Sequence, residues 1–354
     1  MIDVLVERCE IVKLRFFQPG KRVNMEHRQL KNNALGLGES IIMGIAGTAP
    51  AYSIAATTAV LVGTVGVLSI ASLLYCGLIM LGVTLAFLHL NYVDTSAGAS
   101  YTWVGKIFHP ALGFFCGWSL LVASAVFMVS GTIPAAIATL ALVSPERTGD
   151  PTTVSLVAAG WLVCIGSVLV KGIKLSSYLQ VFLTVIELIC LIAVIVGALV
   201  TFSQHPVQQF NWTQLSLGEF TPQTFSAGAL IALFFFWGWD VTLNLSEETK
   251  NGKNNSGLGA LCSMIIVLMI FMSFILASQF AFKDGEVERA GTDLVFLLAQ
   301  KVFSPPLSYM AIIAVMLSTI GTLETTILQF TRTMFVNGRD GALKIYFSFL
   351  FFYF

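Results

Sequence analysis

Charge is what this 354-residue chain has least of. Asp, Glu, Lys and Arg together make up 11% of it, against about 25% in an ordinary soluble domain. Nineteen acidic and nineteen basic residues balance to zero, so there is no global basic footprint for nucleic acid. The six cysteines (Cys9, Cys76, Cys116, Cys164, Cys190 and Cys262) form neither a CxxC pair nor a cluster. They read as small apolar packing residues, and neither a disulfide nor a metal site is expected. HExxH and comparable catalytic clusters are missing, which counts against a membrane enzyme, and no motif calls for a cofactor. Residues 1–35 lack the apolar core and small-residue cleavage site of a secretory signal.

What the chain has instead is oil: 56% of its residues are hydrophobic, gathered into long uncharged runs. A membrane-spanning helix needs roughly 20 apolar residues, so the class is an all-α polytopic membrane protein in a lipid bilayer. Residues 40–92 carry no charge and hold two spans, with a hairpin at LVGTVGVL (61–68). Further spans are read at 111–143, 152–170, 175–201, 225–246, 256–282 and 307–330, which makes eight. GTIP (131–134) is placed to bend or end the third.

Orientation follows from the loops, because Lys and Arg accumulate on the cytoplasmic side. With the N-terminus inside, cytoplasmic segments carry fifteen basic residues and external loops four (Arg147, Lys283, Arg289 and Lys301). The expected location is the plasma (inner) membrane with a cytoplasmic N-terminus. Met25 opens a more ordinary basic lead-in than Met1, so residues 1–24 are read as a possible upstream extension.

Two spans are interrupted. The first carries GIAGTAPAYS (44–53); the sixth reads ALFFFWGWDVTLNLSEETKNG (232–252), with Gly238 and Asp240 inside it. A break strands backbone hydrogen bonds that lipid cannot satisfy, so irregular backbone survives only where it lines a protein cavity. Interrupted spans at matching positions of two halves point to a secondary transporter. Spans 1 and 6 are five apart, and an odd number of spans per repeat inverts the second copy. A five-plus-five inverted-repeat fold with helices 1 and 6 discontinuous is therefore expected. Small residues serving tight helix packing are the competing explanation for span 1 taken alone.

Three stretches also resemble one family. GWDVTLNLSEETKNG (238–252) is similar to the end of helix 6 in the amino acid–polyamine–organocation permeases. SAGASYTWVGKIFHPALGFFCGW (96–118) resembles their helix 2–3 connector, and RTMFVNGRDGAL (332–343) their loop after helix 8. The resemblance covers about residues 34–343. It implies amino-acid transport by alternating access, coupled to a proton or cation in symport. It also implies a site at the two breaks, the substrate carboxylate against Ala46, Gly47 and Thr48, and the ammonium near carbonyls of Met43, Gly44, Phe235 and Phe236. Phe236, Trp237 and Trp239 are candidates for the aromatic wall or gate.

The intramembrane acids come next, since a charge at that depth costs about 2.5–3.5 kcal/mol and marks function by default. Asp240 is expected to stabilise the unwound segment, pair with a cationic group, take up a proton, or cap the second half-helix. Glu187 stands where several branches of the family carry a Lys on helix 5. It is a candidate proton-coupling group or a neutral Glu bonded to Ser or Thr nearby. Glu324 in span 8 is a candidate flank of the site. Glu247, Glu248, Lys250 and Lys253 are read as a salt-bridged collar at the cytoplasmic exit of span 6; Glu39, His89 and His109 are read as interfacial.

The domain reading is a cytoplasmic segment (1–34), a first repeat of five helices (35–202), an external loop (203–224), a partial second repeat (225–335) and a cytoplasmic loop with an aromatic tail (336–354). In the family the chain continues past helix 8, so KIYFSFLFFYF (344–354) is read as an aberrant, truncated ending. A polyamine or organic-cation permease, and a non-transporting sensor or pseudogene product, are the alternative readings.

Overall fold

Membrane helices end where a residue removes a donor or swings the chain aside, and this sequence marks those points with proline and short caps. The computed structural model describes residues 30–343, so the readings of 1–24 as an extension and of 344–354 as a tail lie outside it. Fourteen α-helices are described: α1 Leu37–Thr48, α2 Pro50–Val65, α3 Ser69–Val93, α4 Ser100–Ile107, α5 Pro110–Ser130, α6 Thr132–Val143 and α7 Pro151–Leu169. After these come α8 Ile173–Phe202, α9 Pro222–Phe235, α10 Val241–Asn244, α11 Gly252–Ala281, α12 Asp284–Ala290, α13 Leu294–Val302 and α14 Met310–Arg339. Pro50, Pro110, Pro151 and Pro222 each open a helix, where the missing N–H removes a donor the helix could not have used. Asp150 accepts from the amides of Thr152 and Thr153 at 3.2 and 3.1 Å, capping α7. His109, expected at the interface, caps α5 by accepting from Ala111 N at 3.1 Å.

Six helical stretches are long and apolar enough to cross a membrane. The first, Leu37–Val93, folds back at Gly66–Leu68 and so makes two crossings. The short apolar helix α9, continued past its break by α10, completes the eight read from the sequence. Gly131 separates α5 from α6, as GTIP implied. The chain is thus an all-α, multi-pass membrane protein. One face carries residues 30–36, 94–109 and 245–251 (the N-terminal face); the other carries the 66–68 turn and residues 203–221 and 282–309 (the hairpin face).

α11 runs through the middle against α1 and α3, and α14 packs on α8, α6 and α5. Lipid tails are as apolar as leucine, so helices associate by close packing rather than by escape from water. Small residues supply it: Gly259 meets Ser40, and Gly44 meets Ser263 and Thr242 so tightly that neither glycine has room for a methyl group. Aromatic rings fill the space behind span 6, where Phe235 and Phe236 lie 5.0 and 5.6 Å from Phe271, edge-on.

The two broken spans approach each other backbone to backbone. A Cβ placed on Gly47 would collide with the carbonyl of Gly238, and one on Gly238 with the carbonyl of Gly47. Gly238 has φ +96°, a conformation open to glycine at no steric cost. Gly47→Ala is expected to destabilise the protein by about 1–3 kcal/mol, the usual cost of overpacking. Gly38→Ala, nine residues earlier in α1 with open space around it, should change stability by less than about 0.5 kcal/mol. Thermal unfolding of the two variants in detergent micelles checks the contrast.

Candidate functional site

Span 1 breaks at a single residue. α1 stays helical through Thr48, Ala49 turns left-handed at φ +48°, and Pro50 starts α2. This corrects the expected position of the bare amides. Those of Ala46, Gly47 and Thr48 sit inside the α1 helix, and the stranded donors belong to Ala51 and Tyr52, just past the proline. Each has a partner: Ala51 N donates to Glu187 Oε1 at 3.2 Å and Tyr52 N to Ser318 Oγ at 3.2 Å. The Ser318 hydroxyl also bonds Glu187. At the other side of the break, Thr322 Oγ1 donates to Ala46 O at 2.6 Å, Thr48 Oγ1 to Ile45 O at 2.8 Å and Ser53 Oγ to Thr48 O at 2.7 Å. The interruption is therefore held by a carboxylate and four hydroxyls, as a break away from water must be.

A cavity of about 530 Å3 opens between the breaks. Its floor is backbone and small side chains from span 1 (Gly47, Thr48, Ala49, Ser53) and from Gly238. Its aromatic wall is Trp237, Phe234, Phe127 and Tyr52, the last two edge-on at 6.3 Å. Polar groups come from α5 (Ser124, Ser130) and from α14 (Thr322, Thr325, Thr326, Gln329), and no charged side chain lines it. Helix ends of both signs converge there: the C-terminal ends of α1 and α9 favour a cation, the N-terminal end of α2 an anion.

Of the residues singled out in the sequence, Gly47, Thr48 and Trp237 line this cavity. Met43 is packed with Leu245 and Leu328, Gly44 against α11, and Ala46 contributes its carbonyl to Thr322. Phe236 and Trp239, expected in the aromatic wall, are instead buried behind the break, with Trp239 5.5 Å from Phe87; Phe235, named for its backbone carbonyl, is buried as well. Asp240 makes no capping bond. Its Oδ2 accepts from Gln329 Nε2 at 2.9 Å, and it is Gln329, not Asp240, that lines the cavity. Glu324 faces away, buried against α8 with a hydrogen bond from Ser176.

Gln329 also begins a polar chain that leads to the N-terminal face. Gln329 Nε2 reaches Asn244 Oδ1 at 3.2 Å, Asn244 Nδ2 donates to Ala97 O at 2.8 Å, and Ala97 N donates to Glu247 Oε1 at 2.9 Å. Glu247 is held by both terminal nitrogens of Arg339 at 2.9 Å. One residue on, Glu248 receives Nε and Nη2 of Arg332 at 2.8 and 2.9 Å, with both side chains at most 4% exposed. The backbone of Glu248 ties down the chain before α1, accepting from Ala34 N and Leu35 N at 2.7 and 3.1 Å. The collar expected here exists, but its cations are arginines of α14. Lys250 is exposed, and Lys253 Nζ lies over the Tyr92 ring at 4.1 Å. Burial works to raise the Glu247 carboxyl, yet the Arg339 guanidinium and the Ala97 amide outweigh it and hold it below its ordinary value. Burial, and then the neighbouring Asp340 carboxylate, push Tyr101 beside this collar up to about 12.

Sequence reasoning missed Phe127, Phe234, Ser124, Ser130 and the polar stripe of α14. The stripe carried a signal: Thr322, Thr325, Thr326 and Gln329 recur at i, i+3, i+4 and i+7, one face of a helix.

Two outcomes are expected at the collar. Arg332→Met alone leaves a buried carboxylate unpaired and should cost about 3–5 kcal/mol, most of it recovered in Arg332→Met/Glu248→Leu, as measured by thermal unfolding. Because the Glu247 value is depressed on folding, its contribution is present above the ordinary carboxyl range and lost as pH falls through the lowered value. Stability attributable to it should thus be flat from pH 6 to 8 and decline only below about pH 4.5, and Glu247→Gln should remove that acid-side decline.

The model of the family described as "Amino acid permease" matches residues 35–350. The b(0,+)-type amino acid transporter 1 of Oryctolagus cuniculus is 23% identical over 277 residues, 76% of this chain and 55% of that protein. The low-affinity putrescine importer PlaP of Escherichia coli K12 is 28% identical over 268 residues, 72% of this chain and 56% of its own length. The serine/threonine exchanger SteT of Bacillus subtilis is 22% identical over 254 residues, again 72% and 56%. The chain spans about half the length of the curated relatives it matches. With the match running through both broken spans and the cavity between them, the chain belongs to the amino acid permease family.

Proposed function

We propose that this protein carries amino acids across the plasma membrane by alternating access, with the substrate held in the cavity between the two broken spans. The observation that carries the reading is the crossing of Gly47 and Gly238: two interrupted helices meet at their interruptions, and the polar ends they expose face one cavity. A zwitterion suits that cavity better than a diamine does. Its walls offer hydroxyls, an amide and helix ends of both signs but no carboxylate, and the nearby Asp240 is already engaged by Gln329. The N-terminal face is the cytoplasmic one in this reading, so the Glu247–Arg339 and Glu248–Arg332 pairs form its inner closure.

Glu187 is the coupling group in the same reading. Its carboxylate holds the Ala51 amide at the N-terminal end of α2, the place a substrate carboxylate would seek. Two anions compete for one donor, so a proton taken up by Glu187 frees Ala51 N–H for the substrate. Binding and protonation then favour each other by the same factor.

Uptake of radiolabelled amino acids into proteoliposomes tests the reading. An inward pH gradient should accelerate uptake of neutral amino acids, while putrescine should compete weakly; failure of every amino acid to accumulate refutes it. Equilibrium binding isolates the coupling step. Wild-type affinity should rise as pH is lowered, by at most about tenfold per pH unit for one linked proton. Glu187→Gln should bind with little pH dependence.

A further inference from the structure

We infer that Glu324 is a second proton-binding site, separate from Glu187, and that loss of its proton opens the seam between α8 and α14 towards the N-terminal face. The inference takes from the proposed function only that the protein works by alternating access. The two helices pack together along a polar seam. On α8, Ser176, Gln180, Thr184 and Glu187 recur at spacings of four, four and three, one face of a helix, and each is at most 1% exposed. Opposite them on α14 stand Ser318, whose hydroxyl bonds Glu187, and the fully buried Glu324.

The Glu324 carboxyl is held by neutral groups alone. Ser176 Oγ donates to its Oε1. The Gln180 amide, turned so that its oxygen accepts from Thr184 Oγ1 at 2.9 Å, donates to Glu324 Oε2 and to Gly321 O, both at 3.1 Å. Among the described residues Glu324 has no ion pair. The elements packed on α14 bring it no balancing charge. α2, α5, α6 and α7 contain no Asp, Glu, Lys or Arg. Glu39 of α1 bonds Gly36 N, Asp240 bonds Gln329, Glu187 bonds Ala51 N, and Arg332 is committed to Glu248. Lys171, Lys174, Cys164 and Tyr178 are exposed. A neutral carboxyl fits this seam, whereas an ionised one has neither water nor a cation. Once the O–H bond breaks, the carboxylate needs solvent, and the nearest lies at the N-terminal face. Ser176 is the fourth residue of α8, only about 5 Å of helix from its start. Parting the first turns of α8 from α14 admits that water, which takes the proton as hydronium and solvates the carboxylate. The same stretch of α14 holds the span 1 break through Ser318 and Thr322, so the seam and the central cavity are linked.

Infrared difference spectroscopy of the full chain in lipid nanodiscs, titrated from about pH 5 to about pH 9, tests the proton site. A protonated carboxyl has a C=O stretch that disappears on ionisation. Wild-type protein should lose such a band as pH rises. The band should be missing from Glu324→Gln and kept in Glu187→Gln. Glu324→Asp, which keeps the acid, should shift it, and that shift assigns the band by itself. Hydrogen–deuterium exchange reads the seam. At the alkaline end, residues 173–184 should exchange about tenfold faster in wild type than in Glu324→Gln, and at the acid end the two should agree. A Glu324 band that persists across the whole range, or a spectrum unchanged by both substitutions at this position, overturns the proton site. A titrating band with equal exchange in the two proteins at both ends overturns the opening. Neither readout needs a substrate, so failure here leaves the central cavity standing, and failure of amino-acid uptake would leave this site standing.

Discussion

Two backbones cross at a separation only glycine permits. Gly47 and Gly238 each occupy the space a methyl group on the other would need, and Gly238 does so at φ +96°. Everything that gives this protein a site depends on that crossing. It brings the interruption of span 1 against the interruption of span 6, so the polar ends of α1, α2 and α9 face a common space. An alanine at either position would push the two spans apart and dismantle the cavity before removing any group from it.

An interrupted helix inside a bilayer is tolerable only if its stranded groups find partners within the protein, and here the partners are what link the site to the rest of the molecule. Ser318 and Thr322 of α14 hold the two sides of the span 1 break, Glu187 of α8 holds the amide after the proline, and Gln329 of α14 holds Asp240 beside the span 6 break. One helix, α14, therefore touches both interruptions. It also supplies Arg332 and Arg339 to the collar on the N-terminal face. A shift of α14 by a fraction of a turn would alter the cavity and the collar together, which is the kind of mechanical linkage alternating access needs. The buried Glu248–Arg332 pair adds specificity more than stability, since desolvation offsets much of its attraction.

The fold was largely legible in the sequence because hydrophobic length and proline punctuation are local signals. Eight spans, the turn at 66–68 and the pair of breaks all follow from runs of uncharged residues and from where Gly and Pro interrupt them. The site was legible only in outline. GTAP located the break but not the residue at which the helix gives way, because a proline frees the amides after it, and that moved the stranded donors from Ala46–Thr48 to Ala51 and Tyr52. Side-chain direction was harder still. Phe235, Phe236, Trp237 and Trp239 look equivalent in FFWGW, yet one faces the cavity and three pack behind the break, a choice made by α11 and Phe87 far along the chain. The collar was placed correctly on Glu247 and Glu248, but pairing with Arg339 and Arg332 spans some 90 residues and leaves no local trace.

The central claim is that an amino acid sits where the two broken spans cross. Crystals of the protein grown with L-selenomethionine as ligand, the chain itself carrying ordinary methionine, place that ligand directly by the anomalous scattering of its selenium. A peak between residues 47–52 and 237–241, beside the rings of Phe127 and Trp237, is the predicted result. A saturating ligand whose only peak lies elsewhere, with the space at the crossing left without ligand density, would contradict it.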